Sequence, residues 1–314
     1  MTDRTPPPPP PGWTIQRLSI QEITPRRFHI EFRRPGRPVI IEGALGDLAP
    51  LDLDKLVAVV GNHKFPTRCY GTERFSRPKV EWQNYCDVSM RTVSEYAGML
   101  RDGTARRGDI YMAQIEIGRT SLRQAIGPVF DALVGATGLR QQPPQDINLW
   151  VGPGGHTEPL HFDSHDGTLV QLFGTKRVSL FPPSATRGLY PFEAFGNGLA
   201  PWISKVYIDN PDFSTFPHLA SSLSQRIDLD LREGEVLFIP SGWWHEVTAL
   251  GEDYVVSVNR FWKVRPLLRL AAAPRAAVLY GVHKFPMSWS LAVHKRIQAL
   301  LNAVSKPAPT NFQA

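Results

Sequence analysis

The sequence predicts a mainly β protein, a sandwich or barrel of the jelly-roll type with helices at both ends. From Asp109 to Trp262, short runs rich in Val, Ile, Phe, Tyr and Trp alternate with Gly, Pro and Asp. Many short strands separated by turn residues are typical of all-β sandwiches and barrels. Helical patterns precede and follow this region. With 314 residues, 42% hydrophobic and 20% charged, the chain is an ordinary globular protein that buries a substantial core.

The elements follow in a simple order. Pro6 to Pro11 form a polyproline run, so we expect a disordered Pro-rich tail over residues 1–12. Residues 13–265 are predicted to form one domain, and residues 266–314 a C-terminal helical segment. Before the β region, we expect helix in SIQEITPRRFHIEFR, a buried strand in RPVIIEG, and helices that end at Gly61 and Gly103.

The β region divides into eight runs that we interpret as strands. They are DIYMAQIEI, INLWVGPGG, PLHFD, TLVQLFGTKRVSLFPP, KVYID, RIDLDLREGEVLFIPSG, WHEVTAL and DYVVSVNRFW.

The composition bears on where the protein is located and on the role of its cysteines. No apolar run approaches the length of a membrane span, and the N-terminus lacks the apolar region of a secretory signal, so we expect a cytoplasmic protein without a membrane partner. Cys69 and Cys86 are too few for a disulfide framework or a thiolate zinc site. We interpret both as inert core thiols.

A net charge of +6 allows an acidic or nucleic-acid partner. The segment TPRRFHIEFRRPGR contains a local cluster of five arginines, namely Arg26, Arg27, Arg33, Arg34 and Arg37. The first interpretation is the solvated face of a short helix and the turn after it. A basic footprint for RNA or an acidic protein is the alternative.

The stretch EPLHFDSHDG contains two histidines and two aspartates within ten residues. On a strand, residues i and i+2 project from the same face, so His161 and Asp163 point together. His245, at the start of a strand after a Pro-Ser-Gly turn, is the best third ligand. Two histidines and one carboxylate form the set that leaves open positions on Fe(II). His165 and Asp166 are interpreted as neighbours that do not touch the metal.

The region from Tyr111 to Trp262 resembles the JmjC and cupin-like 2-oxoglutarate oxygenases, and most of all the branch that contains the factor-inhibiting-HIF asparaginyl hydroxylase. The matching stretches are YMAQIEI, LWVGPGGHTEPLHFD, VQLFGTKRVSLFPP, LYPF, GEVLFIPSGWWHEV and VSVNRFW. The resemblance implies a double-stranded β-helix (jelly-roll or cupin fold) with flanking N-terminal and C-terminal helices. It makes residues 13–265 the catalytic domain and His161, Asp163 and His245 the catalytic iron ligands.

The resemblance also implies roles around the iron. Lys176 matches the lysine that pairs with the distal carboxylate of 2-oxoglutarate, and Tyr111 matches a tyrosine that binds the same group. Asn259 matches an asparagine close to iron and cosubstrate. Gln114 matches a position at the substrate mouth. Trp243 is either a substrate contact there or a core residue.

Two positions depart from the family pattern. Relatives usually have Thr three residues before the first ligand, where this chain has Glu158, and many have Asn six residues after it, where this chain has Gly167. A carboxylate beside an anionic cosubstrate weakens its binding unless a cation pairs with it. A one-residue bulge that brings Thr157 into register and turns Glu158 away would restore a hydroxyl to the site.

The resemblance implies an oxygenase that uses Fe(II), 2-oxoglutarate and O2 to hydroxylate an unactivated C–H bond, with release of succinate and CO2. The leading substrate is a peptide or protein side chain. The alternatives are hydroxylation of a small-molecule natural product or an RNA base, and N-methyl demethylation by the same chemistry. A non-enzymatic cupin binding module and a zinc- or manganese-loaded cupin isomerase are the rivals. We expect a homodimer through the C-terminal helices; a monomer in which they cover one end of the barrel is the alternative.

Overall fold

A computed structural model describes residues 14–48, 50–79, 81, 86–140, 147–192, 201–264 and 273. The Pro-rich tail predicted for residues 1–12 lies outside these residues. Apart from Ala273, so does the helical segment 266–314 with the homodimer contact expected of it. The tail, the C-terminal helices and the dimer therefore stay predictions.

The strands of the described residues are short. In chain order they are β1 (Arg17–Ser19), β2 (Val39–Glu42), β3 (Lys64–Cys69), β4 (Asp87–Thr92), β5 (Ile110–Glu116), β6 (Ile147–Pro153), β7 (Thr157–Phe162), β8 (Asp166–Phe173), β9 (Lys176–Phe181), β10 (Ile227–Leu231), β11 (Val236–Ile239), β12 (Trp244–Ala249) and β13 (Tyr254–Trp262).

The helices are α1 (Pro25–Phe28), α2 (Leu53–Val60), α3 (Val93–Arg101), α4 (Thr104–Arg107), α5 (Ser121–Thr137) and α6 (Leu219–Leu223). A π turn over His29–Arg33 continues α1, so the predicted first helix is broken into short pieces. The predicted end of α2 at Gly61 is confirmed, and α3 is followed by Gly103 in the left-handed conformation.

The strands form two sheets that face each other. The larger has the order β1-β2-β11-β8-β13-β6-β5-β3-β4, and the smaller has the order β10-β9-β12-β7. One hydrophobic cluster joins Ile40 and Leu237 of the larger sheet to Val178 and Leu180 of the smaller one. Side chains from the two inner faces interdigitate in this way when two sheets pack face to face. The predicted mainly β, cupin-like fold is confirmed.

The outer face of the larger sheet carries the helices. Phe28, Leu56, Tyr96 and Phe130 from four helices share the largest buried cluster with Trp262 of β13. This cluster anchors the larger sheet on one side, which leaves its other side to line the space between the sheets.

Several sequence interpretations are wrong or incomplete. The run KVYID is not a strand; it follows an isolated bridge at Ser204 as irregular chain. Val206 and Ile208 are buried in a cluster with Trp244 outside the smaller sheet, so their apolar character reflects loop packing. The helix α5, which contains Pro128, and the hairpin of β3 and β4 were not predicted. Cys69 and Cys86 are free but only half-buried, so neither is the core thiol expected.

Arg33 of the basic cluster has a structural role. Its Nε lies 3.2 Å from Oδ2 of the fully buried Asp166, and Oδ1 of Asp166 accepts a hydrogen bond from the backbone N–H of Ser241 at 3.0 Å. Arg27 of the same cluster pairs with Glu31 one helical turn later. The Arg33–Asp166 pair ties the N-terminal segment to the start of β8 and to the turn before β12.

We expect Arg33→Met to lower the free energy of unfolding by roughly 3 kcal/mol, because it removes a guanidinium contact from a buried carboxylate. The matched control is Arg26→Met, since Arg26 is exposed on the same segment, and its effect should stay within about 0.5 kcal/mol. Urea denaturation measures both values. Equal effects of the two substitutions would contradict the structural role of Arg33.

Candidate metal centre

Neighbouring strands of the smaller sheet bring the two predicted histidine ligands together. His161 of β7 stands directly opposite His245 of β12, and residues opposite each other in an antiparallel pair share a face. Their ring centroids are 4.2 Å apart. This one cross-strand pair thus brings together two histidines that are 84 positions apart in the chain.

Asp163 completes the group from the loop just after β7. Its Oδ2 lies 3.5 Å from Nε2 of His245, and one possible ligand atom from each of Asp163, His161 and His245 lies within 4.8 Å of the other two. The backbone carbonyl of Asp163 accepts a hydrogen bond from Gly242 N–H at 2.9 Å. Burial raises the pKa of the Asp163 carboxyl. A cation held at this point would offset that cost of burying a charge.

Both imidazoles are oriented by backbone carbonyls. Nδ1 of His161 lies 2.7 Å from the Pro159 carbonyl, and Nδ1 of His245 lies 3.0 Å from the Trp243 carbonyl. A proton on each Nδ1 leaves each Nε2 with a free lone pair, the usual arrangement of metal-binding histidines. Burial and the neighbouring His161 lower the pKa of His245 to about 3, so this ring is a neutral donor. The donor set fits Fe(II).

His165 and Asp166, the other two members of the His and Asp stretch, lie elsewhere. The Nδ1 of His165 is 3.1 Å from Ser164 Oγ, and its ring is 6.4 Å from that of Phe261. Asp166 is occupied by Arg33 and Ser241, as described above. Within the described residues, neither belongs to the group that could hold a metal.

Lys176 extends from β9 into the same interior. It is 3% exposed, and its Nζ donates a hydrogen bond to Ser257 Oγ of β13 at 2.6 Å. Burial lowers the pKa of the Lys176 ammonium to about 7, against the attraction of Glu158. A buried ammonium whose charge is so incompletely compensated fits the carboxylate of a bound anion.

Tyr111 of β5 lies against His156 and the neighbouring strand β6. Its ring stacks on His156 with centroids 3.7 Å apart and lies 6.1 Å from that of Trp150. Burial, together with the negative charge of Glu158, raises the pKa of Tyr111, so its hydroxyl keeps its proton. One edge of the ring lies directly against Gly152 of β6, where a Cβ would overlap it.

We expect Gly152→Ala to displace the Tyr111 ring and to lower the free energy of unfolding by roughly 2 kcal/mol through overpacking. Gly135→Ala is the control, because Gly135 lies on an exposed part of α5 with open space around it. There the change should stabilise the helix by up to about 1 kcal/mol. Thermal unfolding measures both, and unchanged stability of Gly152→Ala would contradict the close approach.

The remaining predicted contacts occupy different places. Asn259 of β13 accepts a hydrogen bond from Trp150 Nε1 at 2.9 Å. Gln114 is exposed and has a φ of 55°, at an irregularity of the β5–β6 pairing. Trp243 is 4% exposed, and its Nε1 donates to the Gly36 carbonyl at 2.7 Å. A buried and bonded indole is a core residue, so the structure favours that alternative for Trp243.

A bulge lies between Glu158 and His161 on β7, but it acts in the opposite sense to the one expected. Val247, two residues after His245, stands opposite Glu158, and Thr248 stands opposite Thr157. Glu158 therefore shares the face of His161, while the Thr157 hydroxyl lies 2.9 Å from that of Thr248. Burial opposes the ionisation of Glu158, but His156 and other positive neighbours outweigh it and lower its pKa to about 2.

The comparison with protein families agrees with this geometry. The model of the cupin-like domain family matches residues 25–266 of this chain, which include every strand of the two sheets except β1 and all three metal-ligand candidates. This chain belongs to the cupin-like JmjC family. The branch of the asparaginyl hydroxylase, which the sequence resembles, stays a prediction.

Several curated proteins are similar to this cupin-like chain. Lysine-specific demethylase 8 of Danio rerio is 32% identical over 271 residues, which cover 82% of this chain and 60% of that protein. Lysine-specific demethylase JMJ31 of Arabidopsis thaliana is 29% identical over 61% of this chain and 36% of its own length. HSPB1-associated protein 1 of Homo sapiens is 39% identical over 37% of this chain and 23% of its own length. The chain thus spans less than two thirds of the length of these relatives.

Three residues of the cupin-like site were not found from the sequence. Ser257, the partner of Lys176, precedes Asn259 by two residues on β13, so strand alternation would have found it. His156 and Asp109 form a contact of 2.6 Å between Nδ1 and Oδ1 behind Tyr111. They are 47 residues apart, and no local pattern joins them.

Among the described residues, no helix has both the length and the apolar character of a membrane span.

Proposed function

We propose that this chain is an Fe(II)- and 2-oxoglutarate-dependent oxygenase that acts on a protein side chain. The observation that carries the proposal is the group of His161, Asp163 and His245, with both Nε2 atoms free to bind a metal. Two histidines and one carboxylate on one face leave further coordination positions for cosubstrate and oxygen. The family membership supports the same reaction class.

Different residues of the chain would bind the metal and the cosubstrate. His161, Asp163 and His245 would hold the iron, which activates O2 for attack on an unactivated C–H bond when the cosubstrate is bound. The Lys176 ammonium and the protonated hydroxyl of Tyr111 would bind an anionic cosubstrate. Asn259, held by Trp150, lies on the same strand as Ser257. The apolar cluster around Val178, Leu180 and Val247 keeps water from the interior.

The substrate is a protein side chain in this proposal, and hydroxylation is the leading outcome. Two of the relatives are named lysine-specific demethylases, which favours a second candidate function, N-methyl demethylation of lysine. Both outcomes begin with oxidation of a C–H bond, so the same metal site serves either. A natural product or an RNA base as substrate, the cytoplasmic location and the homodimer stay predictions.

The deciding experiment is an anaerobic titration of the Fe(II)-loaded protein with 2-oxoglutarate, followed by the visible charge-transfer band of the chelate. We expect the band in the wild type and its loss in His161→Ala. Iron binding without any band would favour a cupin binding module or isomerase instead. The titration requires no knowledge of the substrate.

Mass spectrometry then separates the two oxygenase outcomes. Peptides incubated with protein, Fe(II), 2-oxoglutarate and O2 gain one oxygen atom if they are hydroxylated. Methyl-lysine peptides lose a methylene unit, released as formaldehyde, if they are demethylated. His161→Ala is the control for both reactions. Peptides and methyl-lysine peptides that all stay unchanged, while the chelate band is present, would turn the search to natural products and RNA.

A further inference from the structure

Three rows of interior side chains cross the smaller sheet. The strand register of β7, β12 and β9 places His161, His245 and Leu180 in the first row, Glu158, Val247 and Val178 in the second, and Ala249 and Lys176 in the third. Successive rows on β12 and β9 are two residues apart, or about 7 Å. The second row therefore separates the metal-ligand candidates from Lys176, and Glu158 is its charged member.

The side chain of His156 supports Glu158 in this row. Nε2 of His156 lies 3.9 Å from Glu158 Oε1, and the other ring nitrogen of His156 contacts Asp109 at 2.6 Å. The His156 ring is fixed in turn by its stack on Tyr111. Among the described residues, Glu158 Oε1 is buried without a hydrogen-bond partner. The carboxylate thus has a built support and an unsatisfied oxygen within the interior.

Two cations near Glu158 have other polar partners. Arg74, which is 3% exposed, lies with its Nε 2.9 Å from Asp109 Oδ2. Lys176 donates to Ser257 and is influenced by Glu158 through space. A second carboxylate brought to Lys176 would share the attraction of the ammonium with Glu158. Two like charges in one buried site oppose each other.

A 2-oxo acid bound to iron by its oxo-acid end would extend from the first row over the second, and the long side chain of Lys176 would meet its tail from the third row. The tail of 2-oxoglutarate would pass Glu158 and present its second carboxylate to Lys176. The five-carbon monoacid 2-oxopentanoate follows the same course and ends in a methyl group. The carboxylate of Glu158 therefore acts on the charged end of one ligand and has no charge to oppose on the other.

We propose that Glu158 is a specificity-determining residue of the cosubstrate site, which weakens the binding of a 2-oxo acid with an anionic tail. The inference rests on the proposed function, since it assumes that the oxo-acid end binds the metal. It predicts an affinity for 2-oxoglutarate that is limited by this chain's own carboxylate. The affinity for a 2-oxo acid with an uncharged tail is not limited in this way.

The test compares the two oxo acids on wild type, Glu158→Gln and Glu158→Thr under anaerobic Fe(II), with the charge-transfer band as the readout. Glu158→Gln keeps the shape of the side chain and removes its charge. We expect it to tighten 2-oxoglutarate by at least about tenfold, because a like charge is removed from a buried site. The dissociation constant of 2-oxopentanoate should stay within about twofold. Glu158→Thr should change the ratio of the two constants in the same direction.

The possible outcomes distinguish a failure of the inference about Glu158 from a failure of the proposed oxygenase function. Unchanged binding of 2-oxoglutarate in Glu158→Gln overturns the inference, and so does equal tightening of both oxo acids, which would place the effect at the metal end. Absence of the band with either acid in all three proteins, while iron is bound, overturns the proposed function and the inference with it. Thermal unfolding and Fe(II) binding by equilibrium dialysis establish that each variant is folded and loaded.

Discussion

His245→Ala is expected to lower the affinity for Fe(II) by more than about 100-fold, because loss of a ligand exceeds the effect of altering its hydrogen-bond partner. The imidazole of His245 is 5% exposed and faces both His161 and Asp163. Alanine leaves two donors and a small space in the interior. Equilibrium dialysis with Fe(II) under anaerobic conditions measures the change.

His165→Ala is the matched control for this loss. His165 lies four residues after His161 and is half-buried near Asp163, but it stands outside the described metal-ligand group. Its replacement should leave Fe(II) affinity within about threefold, the size of a modest change in nearby charge. A larger loss in His165→Ala than in His245→Ala would overturn the ligand assignment.

Lys176→Met is expected to weaken 2-oxoglutarate binding by at least about tenfold and, at the same time, to stabilise the protein without ligands. Methionine fills similar volume and removes a charge that burial disfavours. The ammonium is 3% exposed, and its described hydrogen bond goes to a neutral hydroxyl, Ser257 Oγ. The substitution therefore measures separately how much this lysine contributes to cosubstrate binding and how much its burial destabilises the folded protein.

The stabilisation should depend on pH in a defined direction. The pKa of Lys176 is about 7 in the folded protein against an ordinary value of 10.5. The unfolded chain therefore binds more protons between these values, and the free energy of unfolding rises with pH across that window. For a fully buried group the rise amounts to about 5 kcal/mol. Lys176→Met lacks this contribution.

Urea denaturation of the ligand-free protein near both ends of that window measures the slope. Lys64→Met is the control, because Lys64 is exposed on β3, and it should retain the wild-type slope. An identical slope in wild type and Lys176→Met would show that the lysine is not destabilised by burial.

The sequence by itself determined the fold class and the family, because both depend on local patterns. Short strands between turn residues predict a mainly β domain, and the spacing of His161 and Asp163 places them on one side of a strand end. The structure brings His245 to the same point through one cross-strand pair. Lys176 was implied by the family resemblance alone, and the structure places it on the same face as Val178 and Leu180.

Only the tertiary structure decided how the neighbourhood of the metal centre is charged. A bulge shifts the register by one residue, which exchanges the faces of Thr157 and Glu158. Such a shift depends on pairing with a strand about ninety residues away in the chain, and no local pattern reveals it. For the same reason the Asp109–His156 contact and the Arg33–Asp166 pair could not be predicted: each joins residues that are distant in sequence and meet only in the folded chain.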